Sequence, residues 1–267
     1  LGINSRNMRE EILKELKRLE NQHEIKILLA VESGSRAWGF SSTDSDWDVR
    51  YIYVHKLDWY LKIDQLKDNQ EEILENDIDL AGWELKKALK LFRKSNPPLL
   101  EWLRSPIVYK DEYFFSELLR EMSKEYFNSQ SCMHHYLHMA EGNFKAYLQK
   151  DLVRLKKYFY VLRPILACDW ILNNNTVPPM EFQLLVDSEL KEIEIKVIIE
   201  QLLALKISGE ELDIEPKIQV LNDFLKAKIV FYSNYLKLNK NVRTPDTERL
   251  DMVFKQTLRV AWEKKEV

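Results

Sequence analysis

Gly34-Ser35 and Asp46-Trp47-Asp48 stand ten residues apart, each at a joint between an extended run and a turn. Upstream, Ile25-Lys26-Ile27-Leu28-Leu29-Ala30-Val31-Glu32 is an apolar, β-rich run that stops at Ser33-Gly34-Ser35. A short helical stretch from Arg36 to Phe40 follows, then the polar loop Ser41-Ser42-Thr43-Asp44-Ser45. Trp47 to Val54 is rich in aromatic and β-branched residues and alternates as a half-buried strand does. This strand–turn–helix–strand unit needs a sheet to close on, so the N-terminal part must mix α and β.

The rest of the first half fits that reading. Ile12, Leu13, Leu16 and Leu19 share one face of a helix expected over Arg6 to Asn21. Asn76-Asp77-Ile78-Asp79-Leu80 is a shorter strand that leads into a helix from Trp83 to Lys94. Asn96-Pro97-Pro98 opens a further helix through Arg104, and Pro106 to Tyr109 is extended. From Glu112 onwards the pattern is helix after helix, broken near Asn128, Asn173 to Pro179, Ser208-Gly209 and Asn239 to Pro245. Lys191 to Leu205 and Pro216 to Leu238 carry apolar residues at helical spacing. The expectation is an α+β fold: a catalytic module over 1–111 and an all-α, substrate-binding module over 112–267.

Composition narrows the classes. Six glycines and eight prolines in 267 residues are about 5% against a usual ~12%. With 31% charged residues, this excludes collagen-like, disordered and all-β chains and describes long amphipathic helices. No run of apolar residues is long enough to span a membrane, and no charged-then-apolar leader precedes the first helix, so a cytoplasmic protein is expected. Cys132 and Cys168 cannot make a disulfide scaffold or a zinc site alone and read as packed thiols in a reducing compartment. A net charge of −3 gives no global pull towards nucleic acid, so a polyanion must meet a local basic patch.

The chemistry concentrates at the two joints. A Gly-Ser turn opening a helix presents backbone N–H groups and a hydroxyl, a cradle for phosphate. Asp46 and Asp48, two apart on a strand, face the same side and suit Mg²⁺ or Mn²⁺, which take hard oxygen ligands and leave room for substrate phosphates. Arg50 falls on that face too and can fork onto an anion, while Trp47, Val49 and Tyr51 turn to the core. Two-metal transfer of a phosphoryl or nucleotidyl group needs a further carboxylate. Asp79, set between Ile78 and Leu80, is the preferred source over Asp77 at the start of that strand. Three acids at one spot repel one another without metal.

Glu32-Ser33-Gly34-Ser35-Arg36-Ala37-Trp38-Gly39-Phe40 with Asp44-Ser45-Asp46-Trp47-Asp48-Val49-Arg50 resembles the YcgL-type nucleotidyltransferases of the DNA-polymerase-β-like superfamily. Asp79 to Lys87, Lys94 to Leu103, Lys156-Lys157-Tyr158 and Arg163-Pro164 resemble that family as well. The resemblance implies a small mixed sheet with flanking helices and a metal-dependent transfer of an NMP from an NTP, with release of pyrophosphate. It makes Asp46, Asp48 and Asp79 the catalytic metal ligands. Gly34 and Ser35, with Arg36 and Arg50, would hold the triphosphate, ATP being the expected donor. The helical remainder would bind the acceptor, with an RNA end as one candidate, and a protein or small-molecule acceptor as another. A regulatory module that binds NTP without transfer is the competing class.

In the helical half, Lys156, Lys157 and Arg163, with Arg154 beside them and Tyr158, Phe159 and Tyr160 interleaved, read either as a solvated helix face or as a basic, aromatic wall. From that run Lys156, Lys157, Tyr158 and Arg163 are the acceptor-binding candidates. His134, His135 and His138 could suggest Zn²⁺, but no third ligand is evident and a helix face is expected. Trp83, Trp102 and Trp170 read as core aromatics.

Overall fold

The structure, a computed structural model, describes residues 2–209, 214–239 and 245–263. In chain order its elements are α1 (Gly2–His23), β1 (Ile25–Glu32), α2 (Gly34–Trp38), β2 (Trp47–His55), α3 (Leu57–Tyr60), β3 (Asn69–Ile73) and β4 (Ile78–Glu84). Next come α4 (Leu85–Arg93), α5 (Pro97–Trp102), β5 (Val108–Asp111), α6 (Phe115–Tyr126), α7 (Ser129–Tyr147) and β6 (Leu152–Arg154). A 3₁₀ turn (Leu155–Tyr158) leads into α8 (Phe159–Asn174), then α9 (Phe182–Glu189), α10 (Ile193–Ser208), β7 (Ile214–Pro216), α11 (Gln219–Leu238) and α12 (Glu248–Trp262). The fold is α+β, as expected.

Five strands form a mixed sheet in the order β3-β4-β2-β1-β5. The apolar run of β1 takes a central place, antiparallel to β2 and β5, because seven of its eight residues have an interior to face. β2 runs parallel to β4, with Asp48 opposite Asp79. Ile12, Leu16 and Leu19 of α1 pack on one face against Ile27, Val49, Tyr51, Tyr53 and Leu80. On the other face Ile52 and Val54 join Leu89 and Phe92 of α4 and the helical half. A bulge between Ile27 and Leu29 lets the consecutive Leu28 and Leu29 enter the same core.

That second core does not stop at Asp111. It runs from Leu28 through Tyr158 and Ile165 to Leu250 and Ala261. α12 returns to the sheet, where the Trp262 indole donates to the carbonyl of His55 (2.9 Å) and Phe254 meets Tyr60 edge-on. The change from strands to helices at Asp111 is therefore a change of architecture within a shared core.

The structure departs from the expectations in places. β3 was not anticipated: Asn69-Gln70-Glu71-Glu72-Ile73 is a half-wet edge strand with no apolar pattern to mark it. The helical half also carries a two-stranded ladder of β6 and β7, so Pro216 belongs to a strand and α11 starts at Gln219. Residues 240–244 of the expected break lie outside the described residues. Among the described residues, no helix is long and apolar enough to cross a membrane.

Candidate active site

The site grows from the β1–β2 pairing. The Ser33 N–H donates to the Asp48 carbonyl (2.8 Å), carrying the ladder to the point where β1 gives way to α2. Gly34 then turns at φ +58, a conformation that favours glycine. A Cβ there would lie 2.0 Å from Asp48 Oδ2. The Gly-Ser turn and the carboxylate are thus in contact, which neither motif alone could show.

Asp46 closes the loop before β2, and Asp48 is the second residue of that strand. The parallel register sets Asp79 beside Asp48, whereas Asp77 sits at φ +59 in the turn before β4 and gives its carbonyl to the Trp47 N–H. Arg50 occupies the space between the two strand aspartates. Its Nη2 reaches Asp48 Oδ1 at 2.9 Å and Asp79 Oδ2 at 2.8 Å, while Nη1 donates to the Asp79 carbonyl. The expected repulsion among bare carboxylates is accordingly offset by a cation. Burial pushes the Asp48 carboxyl up, Arg50 opposes the shift, and Asp79 and Asp46 add to it.

Arg36 acts locally. Its guanidinium donates to the carbonyls of Ser45 and Asp46 and lies 3.7 Å over the Trp47 ring. It holds the loop that carries Asp46. Glu32, quoted in the sequence motif but given no role, is fully buried behind the strand. Its carboxylate accepts the Asp48 N–H (2.8 Å) and the Tyr109 hydroxyl, and burial pushes it up to about 7.

The helical half supplies the opposite wall. A cleft of about 390 Å³ is lined by Gly34, Ser35, Asp46, Asp48 and Arg50 on one side, and by Lys156, Tyr160 and Lys206 on the other. Lys206, at the end of α10, hydrogen-bonds Ser42 Oγ (3.3 Å). Burial and the charge of Lys156 lower its pKa. Tyr160 is raised by burial and then by Asp48 and Asp46. Trp38 also lines the cleft, and its buried Nε1 has no partner among the described residues. Lys206 and Tyr160 were not singled out from the sequence. Nothing near Lys206 marks it, whereas the aromatic run did contain Tyr160.

Two acceptor-binding candidates are overturned by burial. Tyr158 is fully buried; its hydroxyl donates to Asn222 Oδ1 (2.5 Å) and accepts the Ile218 N–H (2.9 Å). Arg163 is buried against Glu101, with Nη1 to Oε1 at 2.6 Å, and a further bond to the Met180 carbonyl. Both are framework, because a side chain closed off and already paired cannot grip a strand. Lys157 lies beside the cleft between the rings of Tyr147 and Tyr160. His134, His135 and His138 fall on the exposed side of α7. Trp83 and Trp102 stack at 3.9 Å, and both cysteines are buried and free.

Among the described residues, no three His, Cys, Asp or Glu side chains come together as a ready-made metal cage. The donor set still suits a hard cation, since Mg²⁺ is commonly held by one or two carboxylates plus substrate phosphates. Asp46 and Asp48 offer such a pair, while Asp79 is engaged by Arg50.

Residues 8–256 match the RlaP family, the RNA repair pathway DNA polymerase beta family. The uncharacterized protein YcgL of Bacillus subtilis (strain 168) is 47% identical over 255 residues, covering 96% of this chain and 98% of its own. A nucleotidyltransferase-like protein from Exiguobacterium sibiricum 255-15, known from its crystal structure, aligns over 85% of this chain and 74% of its own at 9% identity, with a TM-score of 0.33. The class that the family match defines is a DNA polymerase beta-type one. The chain belongs to the RNA repair pathway DNA polymerase beta family.

Proposed function

We propose that the protein transfers an NMP from an NTP, with ATP the expected donor, to the end of an RNA, releasing pyrophosphate. The observation that supports this reading is the two-sided cleft: carboxylates and a Gly-Ser turn on the sheet wall face Lys156 and Lys206 on the helical wall. Asp46 and Asp48 would hold Mg²⁺ or Mn²⁺, which would supply charge stabilisation on the triphosphate. The backbone at Gly34 and the Ser35 hydroxyl cradle phosphate oxygens. Lys156 and Lys206 neutralise the charge that gathers on the leaving pyrophosphate. Asp79 takes the proton as the acceptor oxygen bonds to the α-phosphorus and the bond to the bridging oxygen breaks. Arg50, freed from the aspartates, has the reach and fork to hold a phosphate oxygen.

Labelled NTPs, a divalent metal and short RNAs test the reading directly. Transfer by the wild type that is lost in Asp48→Asn is the expected result. NTP binding with no transfer in either protein would favour the regulatory module.

A further inference from the structure

Beside the cleft, cations and rings form a continuous ladder that the chemistry above does not use. Trp38, in the cleft lining, meets Tyr160 edge-on at 6.0 Å between ring centroids. Lys157 Nζ lies 4.7 Å from the Tyr160 ring and 4.4 Å from that of Tyr147 on α7. Tyr160 and Tyr147 are each 43% exposed, so both offer a ring face or edge to an incoming group. Arg154 and Lys156, both exposed, precede Lys157 in sequence and lie close enough for their charges to lower its pKa after burial has done so. Among the described residues, none of these three cations is in an ion pair, and the nearby Asp151 is engaged by Lys217 at 3.0 Å.

We propose that the Tyr160–Lys157–Tyr147 ladder is the track on which a single-stranded RNA lies as its end enters the cleft. The inference rests on the transferase reading for its direction, since the ladder starts at the carboxylate cleft and leads outwards. Single strands expose base faces that stack on aromatic rings, and their phosphates seek cations along the same groove. A duplex hides those faces, and a protein hydroxyl or small molecule has no need of a second ring beyond the cleft. With a net charge of −3, a local, unpaired cluster is what can attract a polyanion. The track also explains why Tyr158 and Arg163 are not part of the grip: the neighbours that reach solvent are Lys156, Lys157 and Tyr160.

Fluorescence anisotropy with a labelled single-stranded oligoribonucleotide, and with its duplex, provides the test. The proposal expects tighter binding of the single strand. Tyr147→Ala should weaken it about tenfold, the size of one lost base–aromatic stack, while Tyr147→Phe retains binding within about twofold. Lys157→Ala should reduce the slope of log K against log salt by about 0.7, the value for one phosphate contact on a single strand. Thermal melts of each variant show that it folds. Equal binding by wild type and Tyr147→Ala, or preference for the duplex, would overturn the track. NTP binding by the wild type is measured in parallel. RNA binding that depends on Tyr147 without any NTP binding would sink the transferase reading and leave the track standing. NTP binding with indifference to Tyr147 would do the reverse.

Discussion

Asp46, Asp48 and Arg50 reach the cleft from one strand and its approach loop, whereas Lys156, Tyr160 and Lys206 reach it from the 3₁₀ turn before α8, the start of α8 and the end of α10. The sheet wall is set by a local rule, since residues two apart on a strand must share a face. The helical wall is set by packing of a core in which Phe159 and Phe40 meet at 4.9 Å between centroids. A strand can therefore display its chemistry in its own spelling, while a wall assembled from distant helices displays its chemistry only after folding.

The largest effect should fall on the framework of the helical wall. Arg163→Met removes one partner of buried Glu101, which then keeps, among the described residues, the Tyr136 hydroxyl (2.6 Å). Breaking a buried pair on one side costs about 3–5 kcal/mol, readable by urea unfolding. The double variant with Glu101→Gln should recover part of that loss. Lys156→Ala, two turns earlier and exposed, should change stability by no more than about 0.5 kcal/mol. A small loss at Arg163 and a large one at Lys156 would reverse the assignment of framework and surface.

Next in size is Gly34→Ala on the sheet wall. The added methyl would meet Asp48 Oδ2 at 2.0 Å on a backbone with φ +58, so the carboxylate must move. A displacement of about 1 Å costs on the order of a hundredfold in rate, and single-turnover transfer should show it. Unchanged transfer would mean that the contact between the turn and Asp48 is not needed.

Arg50→Gln probes the cation between the strands. With the bridge to Asp48 and Asp79 removed, Mn²⁺ should bind about tenfold more tightly in the absence of nucleotide, a change of about 1.4 kcal/mol. Electron paramagnetic resonance of free Mn²⁺ reads this directly. Weaker binding in the variant would mean that Arg50 orients the acids for metal instead of competing with it.

A further effect is a pH dependence on the far side of the sheet. His55 stacks on Trp59 at 4.1 Å, and burial lowers its pKa from 6.5 to about 4. A depressed folded pKa means that the unfolded chain binds the proton more readily. The stability is present above pH 6.5 and drains away as pH falls towards 4. The melting temperature of wild type should fall more than that of His55→Gln across this window. Parallel curves would remove His55 as the cause.

The same contrast says what could be read before folding. Asp46, Asp48 and Arg50 were legible because alternation on β2 is strict where Val49, Tyr51 and Tyr53 fill the α1 side. Asp79 was legible as an acid on a short strand, but its pairing with Asp48 depends on a parallel register that no local pattern encodes. Tyr158 and Tyr160 look alike in the sequence. The 3₁₀ turn ends between them, and the first is directed at Asn222 while the second faces the cleft. Lys206 carries no mark at all, because its role comes from α10 ending over the Ser41–Asp46 loop.

On the transferase reading a single nucleotide is held by both walls. Titration of Mg²⁺–ATP by calorimetry against wild type, Asp46→Asn with Asp48→Asn, and Lys156→Ala with Lys206→Ala tests it most directly. Each double variant should weaken binding by about tenfold or more, the scale of a lost charge-assisted contact. Loss confined to one pair, with the other binding as wild type does, would contradict it.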